Sequence, residues 1–170
     1  MLTTLDRATS AEDDFAAVFA AHHGETLRLA YLLCGDRARA EDVVADVFVR
    51  VYGRWRNGGI VNPRAYLRRA VVNETNSWFR RLALERREAA KRSGDTRGGR
   101  DAVEQIADHA VVVEALARLP RRQRTAVVLR YWNDLSERET AEVMGCSVGT
   151  VKSSVSRALS RLRDELVEVA

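Results

Sequence analysis

The spacing of apolar residues along the chain predicts helices rather than strands. The clearest case is the stretch RARAEDVVADVFVRVYGRW, in which apolar side chains return every three or four residues. The members of this stripe are Ala40, Val43, Val44, Val47, Phe48 and Val51. A period of 3.6 residues places them on one face of a helix, so this face is predicted to be buried. Charged residues, among them Asp42, Asp46 and Arg50, occupy the other face.

Two further helices are predicted before this stretch. Residues 1–14 are polar and read as an N-terminal tail. One helix is expected to begin at Phe15 and to end near Gly24, and another to run from Leu27 to about Gly35.

A helix start is also predicted after the amphipathic stretch. Gly58 and Gly59 indicate a break, and Asn62 followed by Pro63 is typical of an N-cap and a first helical position. The new helix carries an apolar stripe of Tyr66, Leu67, Ala70, Val71 and Trp78.

The apolar periodicity disappears at about Leu84. Residues 84–102 are charged and contain glycine, which predicts a flexible linker. The predicted fold class is therefore all-α, with two small helical domains at 15–83 and 103–170 joined by this linker.

The second block opens with two predicted helices. The first is expected to bury Ile106, Val111, Val112, Ala115, Leu116 and Leu119 and to end at Pro120. The second, RRQRTAVVLRYW, is expected to carry Ala126, Val127, Leu129 and Tyr131 on its apolar side.

A helix-turn-helix is predicted in the following stretch, LSERETAEVMGCSVGTVKSSVSRALSRLR. Ser136 and Glu139 fit a capping box, Gly145 fits a tight turn, and Ser147 fits the next N-cap. The first helix is expected to point Ala141 and Met144 inward. The second is expected to bury a stripe of Val151, Val155, Ala158, Leu159 and Leu162.

The exposed face of that second helix predicts DNA binding. It carries short hydroxyls and cations without an acid: Thr150, Lys152, Ser153, Ser156, Arg157, Ser160 and Arg161. Such a face can enter a major groove, read base edges and contact phosphates. An ordinary helical hairpin with a solvated basic face would explain the apolar stripe equally well.

Charge and composition narrow the function classes. The formal net charge of +4 is too mild to identify a nucleic-acid binder, although basic residues cluster at 80–100 and 150–163. Cys34 and Cys146 lack the spacing of a disulfide framework or a zinc site, which predicts reduced thiols. No apolar run reaches the roughly 20 residues that span a bilayer, and residues 1–14 do not resemble a signal peptide. A soluble, cytoplasmic protein is expected.

No catalytic constellation is visible. His22, His23 and His109 have no metal-ligand spacing with cysteines or acids, and there is no glycine-rich phosphate loop. The sequence predicts a protein that is not an enzyme and has no cofactor or metal.

Three segments, in their order along the chain, resemble sigma factors of the extracytoplasmic-function group, which are sigma-E-like members of the sigma-70 family. RAEDVVADVFVRVYGRW resembles the helix that docks on core RNA polymerase. NPRAYLRRAVVNETNSWFRR resembles the segment that recognises and opens the −10 promoter element. The stretch from Leu119 to Arg163 resembles the domain that binds the −35 element. The resemblance implies a promoter-recognition subunit whose partners are core RNA polymerase, promoter DNA and, as a further candidate, an anti-sigma factor.

The resemblance also implies residue roles. Asn73 matches the residue with which this group shapes a pocket for a base flipped from the −10 element. Candidate phosphate contacts are Arg68, Arg69, Arg80 and Arg81, and a solvated helix face is the alternative role for these four. The polymerase-docking set is Asp42, Asp46, Phe48 and Arg50, although core packing is the favoured role of Phe48. Ser77 stands where many members carry aspartate, so no specific −10 sequence is transferred.

One other class of regulator stays open. The helix-turn-helix also resembles the DNA-binding end of response-regulator-type activators, which bind DNA without core polymerase. Those proteins usually carry an α/β receiver or a ligand-sensing domain, and nothing before residue 103 alternates strand and helix.

Overall fold

Seven α-helices and one π-helical turn make up the computed structural model. The helices are α1 (Thr3–Cys34), α2 (Arg37–Trp55), α3 (Pro63–Ser93), α4 (Ala110–Arg118), α5 (Arg121–Val127), α6 (Glu137–Met144) and α7 (Val148–Val169), with the π turn at Val128–Trp132. The structure describes the backbone of residues 3–93 and 110–169, and the side chains of 14–89 and 111–164. No β-strand occurs in these ranges, which confirms the all-α prediction.

Local sequence signals explain where α2 and α3 begin. The Asp36 carboxylate caps α2 by accepting a hydrogen bond from the backbone N–H of Arg39 at 2.8 Å. The predicted cap of α3 is confirmed, since the Asn62 side chain accepts from the Ala65 N–H at 3.0 Å. Between these helices Gly58 has a φ of +69°, a conformation that favours glycine.

The N-terminal region is more helical than its sequence indicates. α1 is one helix, so the predictions of a polar tail over 1–14 and of a break near Gly24 are wrong for the described residues. A glycine in a helix costs about 1 kcal/mol, and packing of the turns on either side offsets this cost. Phe15 on one side of Gly24 and Leu27 on the other both pack against the core.

The segment predicted as a linker is also partly helical. α3 continues through Leu84 to Ser93, and residues 94–102 lie outside the described residues. The sequence from Glu85 to Arg92 contains only alanine, glutamate, lysine and arginine, which are strong helix formers. The missing apolar stripe therefore indicated an exposed helix here rather than a coil.

The first unit, α1–α3, buries the predicted stripe of α2. The six residues Ala40, Val43, Val44, Val47, Phe48 and Val51 are all buried. They pack with buried residues of α1 and α3, namely Leu29, Ala30, Leu32, Leu33, Leu67, Val71 and Val72.

The second unit, α4–α7, differs from the prediction at two places. In α4 the buried residues are Val113 and Leu116, whereas Val111 and Val112 are exposed; Ile106 lies outside the described residues. The helix predicted from RRQRTAVVLRYW stops at Val127 and continues as the π turn. The wider turn leaves Tyr131 exposed, together with Trp132.

The two units pack on each other. α1 contacts α4, α5 and the π turn, and α3 contacts α6. Residues of both units form one continuous hydrophobic cluster, including Leu33 and Val72 from the first and Leu116 and Val128 from the second. The helices of the two units are therefore held in one arrangement.

Candidate nucleic-acid interface

The predicted capping box fixes the start of α6. The Glu139 N–H donates to the Ser136 hydroxyl at 3.2 Å, and the Glu139 carboxylate accepts from the Ser136 N–H at 2.8 Å. The Ser136 hydroxyl also donates to the Glu139 carboxylate at 2.7 Å, and this bond, together with the one from the Ser136 N–H, holds the pKa of Glu139 below its ordinary value. The first helix of the helix-turn-helix therefore begins at a defined residue, as predicted.

The turn and the second cap also match the prediction. Gly145 has a φ of +61°, and the Ser147 hydroxyl accepts from the Thr150 N–H at 3.2 Å. Val151 is fully buried and Ala141 nearly so, which fixes the angle between α6 and α7. The buried stripe of α7 is narrower than expected: Ala158 is buried, whereas Leu159 is 36% exposed.

The residues predicted to read the −35 element lie along the outer side of α7. Ser156, Arg157 and Arg161 are exposed. Lys152 is also exposed, and its ammonium lies 3.5 Å from the Glu137 carboxylate. The remaining two, Thr150 and Ser153, are partly buried and hydrogen bond locally: Thr150 with Ser147, and Ser153 with the Thr150 carbonyl.

This face has the chemistry of a duplex-binding surface. Exposed guanidinium groups reach phosphates and base edges, and the absence of acids from the outer side of α7 between Val148 and Arg163 avoids repulsion from the DNA backbone. Glu137 of α6 is the one acid that an ion pair brings to this described face.

The predicted polymerase-docking residues of α2 separate into exposed and buried ones. Asp42 and Asp46 are exposed, whereas Phe48 is 5% exposed. The Phe48 ring packs edge-on against Phe19 with centroids 4.7 Å apart. Phe48 therefore packs in the core, which is the role favoured for it, and a part in docking stays a prediction.

A buried glutamate that the sequence reasoning missed joins α2 to α3. Glu74 is 6% exposed and accepts hydrogen bonds from Arg50 of α2 and from Arg81 of α3, the latter at 3.0 Å. Two predicted site residues thus meet at one carboxylate. The signal was present, because Glu74 follows Leu67 and Val71 on the apolar stripe of α3.

Two of the predicted −10 residues, Asn73 and Arg80, lie on the side of α3 that faces the second unit. Asn73, Arg69 and Arg80 are exposed. Asn73 and Arg80 border a cleft of about 470 Å³, and Arg121 and Arg122 of α5 form part of its opposite wall. No acid is among the described residues that line this cleft, so it presents amide and guanidinium groups suited to a polyanion.

Arg68 departs from the expectation of a free phosphate contact. Its side chain is 10% exposed and lies 3.6 Å from the Glu25 carboxylate, which also pairs with Arg64 at 2.9 Å. Partial burial raises the pKa of Glu25, but the hydrogen bond and charge of Arg64, together with the charge of Arg68, hold it below the ordinary value. Arg68 would have to leave this cluster to reach DNA.

Trp78 is neither a free stacking platform nor a fully buried core residue. It is partly buried, and the Arg39 guanidinium lies 3.8 Å from the centre of its ring. The neighbouring Phe79 ring faces Arg121 of the second unit at 5.2 Å.

The described residues also bear on metal binding, cysteine chemistry and membrane insertion. Within 3–93 and 110–169, no group of three or more histidines, cysteines or acids lies close enough to hold a metal ion. Both cysteines are free thiols. No helix in the described part of the chain has the length and apolar character needed to cross a membrane.

Comparison with protein families gives two matches. Residues 18–85 match sigma-70 region 2, and residues 109–162 match sigma-70 region 4. The RNA polymerase sigma-E factor of Streptomyces avermitilis is 43% identical over 143 residues, which are 82% of this chain and 78% of that protein. The ECF RNA polymerase sigma factor SigM of Mycobacterium tuberculosis is 32% identical over 87% of this chain and 74% of its own length.

Solved structures show the same fold. The sigma factor RpoE of Bartonella quintana, in complex with the anti-sigma factor NepR, aligns with a TM-score of 0.73 and 26% identity, covering 90% of this chain and 96% of that one. CnrH, in complex with the cytosolic domain of CnrY, aligns with a TM-score of 0.66 and 23% identity over 96% of each chain.

Proposed function

The chain belongs to the extracytoplasmic-function group of the sigma-70 family, and from this premise we propose how it divides the work of promoter recognition among its helices. It is an RNA polymerase sigma factor that directs promoter-specific initiation. In our proposal, α2 docks on core polymerase, α3 engages the −10 element and α7 reads the −35 element. Residues 15–83 and 103–170 are the two functional units.

The observation that carries this proposal is the outer face of α7. A capping box, a left-handed glycine and a buried valine hold the helix at a fixed angle. Its exposed residues include Lys152, Arg157 and Arg161. We assign base-edge and phosphate contacts in the −35 major groove to these residues and to Thr150, Ser153 and Ser156.

The −10 role rests on Asn73 and its basic surroundings. Unstacking a base costs a few kcal/mol, so a polar side chain that binds the flipped base supplies part of the compensation. Asn73 is exposed on α3 beside Arg80, and Arg69 is exposed four residues before Asn73. We assign phosphate contacts to Arg69 and Arg80, and to Arg81 when it is released from Glu74.

The docking role rests on the acidic side of α2. Asp42 and Asp46 are one turn apart and exposed, and Arg50 continues the row. The Glu74–Arg50 pair ties this row to α3, so docking and −10 recognition would share a rigid support.

Three broader assignments accompany the mechanism. Polymerase supplies the chemistry of RNA synthesis, so this chain acts without a catalytic residue or cofactor of its own. We place it in the cytoplasm, where core polymerase is found. We also propose an anti-sigma factor as a partner, because the two solved structures above are complexes with, respectively, the anti-sigma factor NepR and the cytosolic domain of CnrY.

The test is a selection of promoter DNA from a random duplex library, with this chain, with host core polymerase, and with both. We expect retention of duplexes with two short elements at fixed spacing only when both proteins are present, because two weak modules act together at high effective concentration. Selection of the same duplexes by the chain alone, unchanged by core polymerase, would instead indicate a response-regulator-type activator.

A further inference from the structure

Arg124 is a buried cation that has no carboxylate partner among the described residues, and it lies where the two units meet. It belongs to α5, is 7% exposed, and sits against the end of α1. Burial lowers the pKa of its guanidinium, because an apolar environment disfavours the charged form. A cation kept in such a place needs other groups that compensate its lost hydration.

Backbone carbonyls at two helix ends provide that compensation. Arg124 donates to the Leu33 carbonyl at 2.8 Å, in the last turn of α1, and to the Ala117 carbonyl at 2.5 Å, in the last turn of α4. The last carbonyls of a helix lack partners within the helix and carry its negative partial charge. One guanidinium therefore caps two helices that belong to different units.

The surrounding contacts show what this cap holds together. Gly35, just past the end of α1, approaches α4 so closely that a Cβ at this position would lie 3.6 Å from the Ala117 Cβ. Farther along the interface Arg121 lies over the Phe79 ring. Arg80, Arg121 and Arg122 also border one cleft, and like charges there oppose closure.

We propose that Arg124 is a latch that keeps the two units closed in the free chain and so restricts access of single-stranded DNA to Asn73. In this closed form α6 packs against α3, and α5 stands across the cleft from Asn73. The outer face of α7 stays exposed. This arrangement superposes over 90% of the chain, with a TM-score of 0.73, on a sigma factor solved with an anti-sigma partner.

The closed form has a built-in probe in Cys34. Burial raises the pKa of this half-buried thiol to about 11, so little of it is present as thiolate near neutral pH. Cys34 is the last residue of α1 and lies next to the Leu33 carbonyl that Arg124 holds. Separation of the units would hydrate it.

The first experiment measures the labelling rate of Cys34 by a thiol reagent in a Cys146→Ser background. Arg124→Met keeps the apolar stem and removes the donors, and we expect labelling to be at least about tenfold faster. Arg138→Ala, which removes an exposed guanidinium paired with Glu142, is the control and should leave the rate unchanged. Equal rates in all three proteins, with unchanged helical circular dichroism, would overturn the latch.

A second variant covers the case in which Arg124→Met fails to fold. Gly35→Cys with Ala117→Cys, in a chain with Cys34→Ala and Cys146→Ala, places two Cβ atoms at disulfide distance across the same contact. Because Gly35 has a φ of +75°, a cysteine there is strained, so the oxidised form is compared with the reduced form of the same protein, which carries the same strain. We expect the oxidised form to lose binding of a single-stranded −10 segment taken from a selected promoter, and reduction to restore it. Equal binding by the two redox forms would contradict the restriction of access.

The part of the inference that concerns DNA rests on the proposed function, whereas the latch itself does not. Fast Cys34 labelling in Arg124→Met with no single-strand binding by any form would support the latch and refute the assignment of Asn73. Slow labelling of Cys34 in Arg124→Met, with strong single-strand binding, would refute the latch and support the assignment of Asn73.

Discussion

At the scale of single residues, several helix starts are fixed by side chains that hydrogen bond to the backbone of their own segment. The caps at Ser136, Ser147 and Asn62 follow from a short polar side chain that precedes a helix, because the partner is three residues away in the same segment. Glu74 and Arg124 were missed, although each lies on an apolar stripe. One partner of each residue is distant in sequence, namely Arg50 for Glu74 and the Leu33 carbonyl for Arg124, and spacing alone does not reveal these partners.

Arg157 tests the DNA-reading face at this scale. Arg157→Ala removes one exposed guanidinium from α7 and should weaken binding of the holoenzyme to a selected promoter by about tenfold, as expected for loss of one base or phosphate contact. The change should not alter thermal unfolding, since the side chain is exposed. Arg138→Ala on α6 is the matched control, and promoter affinity equal to wild type in both variants would refute the assignment.

Glu25 gives a pH dependence with a defined sign. Its folded-state pKa lies below its ordinary value, so its ion pairs with Arg64 and Arg68 stabilise the fold at pH values above the unfolded-state pKa. The contribution is lost as the pH falls through the lowered folded-state pKa. Because Glu25 is partly exposed, we expect Glu25→Gln to reduce the free energy of unfolding by less than about 1 kcal/mol near pH 7.

The measurement is urea unfolding of wild type and Glu25→Gln near pH 7 and at about pH 3. The difference between the two proteins should shrink at the acidic pH, because a growing share of the wild-type carboxylates takes up a proton and loses its charge there. A difference that is larger at acidic pH would mean that the ion pairs do not stabilise the folded state.

At the scale of elements, amphipathic helices were predicted well and exposed helices poorly. The stripe of α2 and the helix-turn-helix follow from periodicity, because one face of each helix meets the core. The described parts of α1 before Phe15 and of α3 after Leu84 have no such stripe and are nonetheless helical. There, helix propensity and continuation from a packed turn decide the structure.

α2 carries the prediction that belongs to this scale. Asp46→Arg reverses a charge on the proposed docking face and should weaken binding to core polymerase at least about tenfold, because a like charge replaces an attractive one. Asp46 is exposed, so the fold should be retained. Glu41→Arg is the control, since Glu41 lies about 140° around the helix from Asp46.

The assay is competition with a labelled wild-type chain for core polymerase, alongside circular dichroism. Equal competition by wild type and Asp46→Arg would remove Asp46 from the docking surface. Equal weakening by Asp46→Arg and Glu41→Arg would mean that net charge, rather than this face, governs the association.

For the whole molecule, the sequence predicted two helical units but not how they sit together. Their contact depends on one buried arginine, one glycine at the end of α1 and a shared apolar cluster. None of these residues forms a motif, because each acquires its role only when α1 meets α4 and α5. The family explains what each unit binds, and the packing between the units explains how the free chain would be held closed until polymerase engages it.

The most direct measurement of the central claim is run-off transcription from one selected promoter by host core polymerase. We expect a specific transcript with the wild-type chain and none with core polymerase alone. The yield of this transcript should be strongly reduced with Asp46→Arg or Arg157→Ala. A transcript of equal yield without this chain, or no transcript when core polymerase and chain are both bound to the promoter, would contradict the proposed role in initiation.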